Sequence, residues 1–144
     1  MILNRKDIYK KFPWVKQKNR KFIISADYNG LICASFLSHV LDWELAGYYD
    51  LESLWISQKQ TGNYDDIIWV DLNILPGHGR AIGGHIVSLD NQTPKGFQTS
   101  CNPNLLLGLT SSDFKNKFPF STLIFLLWLH NYQIKKTLFS RMLV

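Results

Sequence analysis

Short β-rich apolar runs alternate along the chain with stretches of helical periodicity, the order expected of strands that cross over through helices into a mainly parallel sheet. The first run, Phe22-Ile23-Ile24-Ser25-Ala26, predicts a strand that ends at Asp27, and Tyr28-Asn29-Gly30 forces a turn. From Leu31 to Trp43 the apolar positions Leu31, Ala34, Leu37 and Leu41 share one helical stripe, suited to a helix lying on a sheet. A short strand is predicted at Glu44 to Tyr49. The turn-forming stretch Thr61 to Asp66 then leads into Ile67-Ile68-Trp69-Val70, a continuous apolar run of the kind buried on both faces of a sheet, which ends at Asp71. A glycine-rich link, Pro76 to Gly84, precedes a predicted strand His85-Ile86-Val87-Ser88-Leu89 that ends at Asp90. A polar loop through Cys101-Asn102-Pro103-Asn104 follows, and then a helix starting at Pro119 or Ser121 and running to Tyr132. That helix is too apolar to stand exposed, so it packs on the sheet or in a dimer interface. Trp55, Trp69 and Trp128 are expected as core or interface anchors.

The length of 144 residues suits one domain, and 46% apolar with only 19% charged residues gives ample material for a core. The longest apolar run, Leu123 to Leu129, falls far short of the roughly 18 to 20 residues that cross a bilayer, and the N-terminus lacks a signal-peptide pattern. No membrane association and a cytoplasmic location are therefore expected. Two unpaired cysteines, Cys33 and Cys101, agree with a reducing compartment. The net charge of +5 is unevenly placed: of the 16 Lys and Arg residues, Arg5, Lys6, Lys10, Lys11, Lys16, Lys18, Arg20 and Lys21 all precede residue 22. Residues 1–21 thus read as a basic N-terminal arm ahead of a single α/β domain at 22–144. Interleaved with Tyr9, Phe12 and Trp14, the lysines Lys10, Lys11, Lys16 and Lys18 suit a phosphate backbone, with bases stacking on the rings. The same pattern also suits a solvated first helix whose aromatics pack on the domain.

Three predicted strands, FIISAD, IIWVD and HIVSLD, each end in an aspartate. Ligands of open α/β sheets bind outside the carboxyl ends of the strands, so Asp27, Asp71 and Asp90 converge there if the three strands run parallel and adjacent. Carboxylates brought so close repel one another unless a cation neutralises them, and an oxygen-rich set suits Mg²⁺ or Mn²⁺. Aspartate after a strand is equally the residue of turns and helix caps. In the glycine-rich link, His78 and Arg80 are candidates for holding a phosphate. His39 and His130 fall inside predicted helices as packing or surface residues. No HExxH, GxxxxGK[ST], GxSxG or paired CxxC occurs.

Residues 20 to 110 resemble the DHH phosphoesterase superfamily. FIISADYNGLICASFL is similar to its first motif, an apolar strand running into Asp-x-Asp-Gly and a helix. IIWVDLN resembles the second motif, and HIVSLDNQ stands in the place of the third, which ends in Asp-His-His. The downstream Cys101-Asn102-Pro103-Asn104 resembles the Asn-Pro of the single-strand-specific exonuclease branch. The resemblance implies a DHH-domain fold, with Asp27, Asn29, Asp71 and Asp90 around Mn²⁺ or Mg²⁺. It also implies hydrolysis of phosphodiester bonds in nucleotides or single-stranded nucleic acid, with Asp27, Asp71 and Asp90 as the catalytic set.

The motifs depart from the family pattern. Asn29 replaces the second aspartate of motif one, Asp90-Asn91-Gln92 replaces Asp-His-His, and the family's smaller C-terminal substrate domain, with its Gly-Gly-Gly-His motif, is not expected in this chain. Amides bring no charge to a cation and replace imidazole poorly for Mn²⁺. Two further readings therefore stand beside a metal-dependent hydrolase: a catalytically silent module that binds nucleic acid or a partner protein, and a fragment of a longer family member. A homodimer or a companion domain would supply what the chain lacks.

Overall fold

A computed structural model describes residues 2–60, 64–72, 79–89 and 96–134. Its centre is strand β1 (Lys21–Ser25), buried along almost its whole length as the apolar run requires. β1 pairs in parallel with β2 (Glu44–Tyr49) on one side and with β4 (Ile68–Val70) on the other. β4 continues in parallel to β5 (Arg80–Ile82) and β5 to β6 (Ser100–Cys101). β3 (Leu54–Ile56) closes the far edge antiparallel to β2, giving the order β3-β2-β1-β4-β5-β6. The fold is thus α/β, with a mixed, mostly parallel six-stranded sheet.

Helix α2 (Tyr28–Leu41) makes the crossover from β1 to β2. It begins three residues earlier than the stripe from Leu31 suggests, so Tyr28-Asn29-Gly30, expected as a turn, is the start of the helix, because the Asp27 side chain caps it by accepting from the Gly30 N–H at 2.7 Å. It ends at Asp42, whose left-handed backbone (φ 56°) stops the helix before Trp43. Helices α1 (Arg5–Lys11), α2 and α4 (Thr122–Leu129) share one core with alternate strand residues Phe22, Ile24, Ile68, Val70 and Ile82. Side chains alternate across a strand, so Ile23 and Trp69 turn to the other face, where a thinner cluster with Ala46 and Ile67 forms. A buried side chain the size of Phe22 or Phe125 contributes about 1.5–3 kcal/mol relative to exposure. The main core is therefore the larger stabilising unit.

The basic segment is no free arm. Ile8, Phe12, Trp14 and Val15 lie in the main core, and the Tyr9 hydroxyl donates to the Leu129 carbonyl. The rings are thereby withdrawn from any role in stacking bases, while Lys10, Lys11, Lys16 and Lys18 remain at the surface. Trp55, expected as a core or interface anchor, is not in the core: it is 57% exposed and stacks on Tyr48 at the sheet edge.

His130 terminates α4 with its ring 5.8 Å from Phe36. Burial lowers its pKa to about 4. The unfolded chain takes up a proton near pH 6.5 and the folded one does not, so this residue's contribution is complete above pH 6.5 and is lost as the pH falls towards 4. Urea midpoints measured at pH 7 and pH 4.5 should show an acid loss about 1–2 kcal/mol larger for wild type than for His130→Phe, allowing for partial solvation. An equal loss in both would contradict the buried neutral imidazole. Among the described residues, no helix is long and apolar enough to cross a membrane.

Candidate functional site

Asp27 follows β1 and Asp71 follows β4, and because the two strands are parallel neighbours both residues reach the same, carboxyl-terminal edge. From β1 the chain proceeds to β2 on one side, whereas β4, β5 and β6 lie on the other. The gap between β1 and β4 is therefore the topological switch point of the parallel sheet, where open α/β folds form their ligand crevice.

Asp71 is the hub of this crevice. The residue is 4% exposed, and its left-handed backbone (φ 60°) turns the chain out of β4 while its N–H still donates to the Ile82 carbonyl at 2.8 Å. Oδ2 accepts from the Ser25 hydroxyl at 3.0 Å and the Asn29 amide at 2.8 Å. Oδ1 accepts from the Thr122 hydroxyl and contacts His85 Nε2 at 2.8 Å. Two oxygens offer about four lone-pair sites in all. All four are occupied, which is how a carboxylate tolerates burial. Strand β1, helix α2, the segment after β5 and the first turn of α4 are thus tied to one side chain.

The His85 ring is half exposed beside this buried carboxylate. Its backbone is braced from below: the Asn104 amide donates to the Gly84 carbonyl at 2.7 Å, and the Asn102 amide to the Ile86 carbonyl at 3.0 Å. Asn104 Oδ1 accepts from the Phe118 N–H at 2.6 Å, and Asn102 Oδ1 caps α3 (Pro103–Leu106) through the Asn104 N–H. The Cys-Asn-Pro-Asn stretch thus positions the loop that presents His85. Tyr28, the first residue of α2, stands 70% exposed at the same edge.

The predicted strand from His85 to Leu89 is not part of the sheet. Its place is taken by β5, inside the expected glycine-rich link, and residues 85–89 make only an isolated bridge, Ser88 with Thr110. The asparagines explain the difference, since they take the Gly84 and Ile86 carbonyls that a ladder would need. Asp90, Asn91, Gln92 and His78 lie outside the described residues. Arg80 opens β5 opposite Ile68, at the amino edge of the sheet, so it cannot balance charge at Asp71. It faces Asp66 instead, at 3.8 Å. The basic segment enters β1 at that same amino edge, where Lys18 pairs with Asp42 at 2.9 Å and Lys16 lies over the Tyr9 ring.

As arranged, these residues do not fit a divalent cation. Asp71 has no lone pair left, Asn29 turns its amide N–H rather than its oxygen to Asp71, and Asp27 caps a helix. Among the described residues no three His, Cys, Asp or Glu side chains gather as a metal site. Nor is Cys33, buried on α2, a nucleophile. Burial and then the Asp71 and Asp27 carboxylates push its thiol far above the usual range. Sequence reasoning missed His85, Ser25, Thr122 and Tyr28; Gly83-Gly84-His85 was the one local signal, glycines bending the chain immediately before a polar ring.

No family model, curated protein or solved structure matches the chain. Its chemistry rests on its own geometry.

Proposed function

We propose that the chain is a diverged, catalytically silent relative of the DHH phosphoesterases, which binds a nucleotide or the end of a single-stranded nucleic acid in the β1/β4 crevice without a metal. The reading rests on one observation: the Asp71 carboxylate is saturated by four side-chain donors where a cation would otherwise be needed. We infer a different alignment with the family from the order of the strands. The triplet that follows the strand next to β4 is Gly83-Gly84-His85 rather than Asp90-Asn91-Gln92. Asp-His-His is then reduced to a single histidine, and that histidine is the one on Asp71.

In this reading His85, whose Nε2–H is held by Asp71, donates to a phosphate oxygen from Nδ1 in its doubly protonated form, and Tyr28 offers an exposed ring for a base. A fluorescein-labelled oligonucleotide is expected to bind in EDTA, with Tyr28→Ala and His85→Ala each weakening binding by about tenfold. Unchanged affinity in both variants would remove the crevice as the binding place. The metal-dependent hydrolase reading predicts otherwise, namely Mn²⁺-dependent cleavage of the same oligonucleotide that Asp71→Asn abolishes.

A further inference from the structure

We propose a second ligand site at the amino edge of the sheet, a two-chambered cavity that takes a small aryl phosphomonoester. One chamber, of about 310 Å³, is walled by Lys11, Trp14, Asp65, Arg80, Gln98 and Thr99. The other, of about 250 Å³, shares Lys11 and Gln98 with the first and extends over Phe97, Leu105 and Leu109. Chambers of this size fall at the small end of ligand pockets. Their chemistry differs, one polar with two cations and one largely apolar, and the same two side chains border both.

The charge balance at the polar chamber favours an anion. The partly exposed Arg80 side chain lines it, and Nη1 makes no hydrogen bond among the described residues. The carboxylate oxygen that faces it, Asp66 Oδ1, lies at 3.8 Å and is shared with Arg20 at 3.9 Å. The Lys11 ammonium lies 5.3 Å from the Phe12 ring centre and has no ion pair among the described residues. Among the described residues that line the chamber, two cations, Lys11 and Arg80, thus stand against one carboxylate, Asp65. A phosphate ester dianion suits the forked guanidinium and the ammonium. Its aromatic group then lies over Phe97, Leu105 and Leu109. The site is independent of the crevice, because Arg80 pairs in register with Ile68 at the start of β4 whereas Asp71 follows the end of that strand.

The test titrates ¹⁵N-labelled protein with phenyl phosphate. Amide shifts are expected at Lys11, Phe97, Gln98 and Leu109, with inorganic phosphate at least tenfold weaker. Arg80→Gln and Lys11→Gln should each weaken phenyl phosphate at least tenfold, and Lys11 is exposed, so its replacement leaves the fold intact. Lys59→Gln, the same charge change just after β3 at the far edge of the sheet, should leave the affinity within twofold. Three results would overturn the proposal: no shifts at these amides at millimolar ligand, shifts at Asn29 and His85 instead, or equal affinities for phenyl phosphate and inorganic phosphate. Loss of oligonucleotide binding in the crevice would not bear on it.

Discussion

Replacing Gly30 with alanine is expected to lower the unfolding free energy by about 3–5 kcal/mol, among the largest single-residue effects in this chain. At an exposed helical position the same change raises stability by about 1 kcal/mol, because glycine is a poor helix former. Here the sign reverses for a geometric reason. A Cβ on Gly30 would lie 2.2 Å from the Ser25 carbonyl oxygen and 2.7 Å from its hydroxyl. The first of these is backbone of the central strand and cannot swing aside, so α2 would have to lift off β1. That movement would also disturb Ser25, one of the four donors on Asp71, and would shift Asn29 with the helix. Urea unfolding of Gly30→Ala against wild type measures the cost. A loss below about 1 kcal/mol would mean that α2 sits farther from β1 than described, and would weaken the account of the crevice with it.

Gly30 also shows what a single sequence yields. The end of β1 before Asp27 was legible from the apolar run, although Tyr28-Asn29-Gly30, expected as a turn, opens α2 instead, and β2 and β4 were legible as β-rich runs. The arrival of Asp27 and Asn29 at the same edge as Asp71 followed from the parallel order. Other features carried no local signal. β5 and β6 have three and two residues, too few for a periodicity, and the segment His85-Ile86-Val87 is a better strand by composition than Arg80-Ala81-Ile82. Tertiary hydrogen bonds from Asn102 and Asn104 decide between them, and those partners lie well over ten residues away. The aromatics of the basic segment were ambiguous for a similar reason, since nothing local distinguishes a ring that stacks on a base from one that packs on a sheet. Thr122, from the far end of the chain, reaches Asp71 only through the packing of α4.

Asp71→Ala is expected to cost about 4 kcal/mol and Asp71→Asn about half as much. Alanine removes the acceptor for four donors, and buried polar groups left without partners cost roughly 1–3 kcal/mol each, reduced here where half-exposed His85 regains water. It also places an ordinary side chain at φ 60°, a further cost of about 1 kcal/mol. Asparagine tolerates that backbone and keeps one acceptor oxygen, but it turns an N–H₂ group towards two donors. Thermal or urea unfolding of both variants, paired with Thr122→Val in a double-mutant cycle, should give a coupling of at least about 1 kcal/mol between positions 71 and 122. An aspartate that merely formed a turn would cost under about 1 kcal/mol and show no coupling. Added Mn²⁺ separates the remaining alternatives, because a cation held by Asp71 would stabilise the wild type by RT ln(1 + [Mn²⁺]/Kd) and leave Asp71→Asn unmoved. With every lone pair of Asp71 already occupied, the expected result is the same melting temperature with and without the metal, and a wild-type increase at millimolar Mn²⁺ that vanishes in Asp71→Asn would overturn the metal-free crevice.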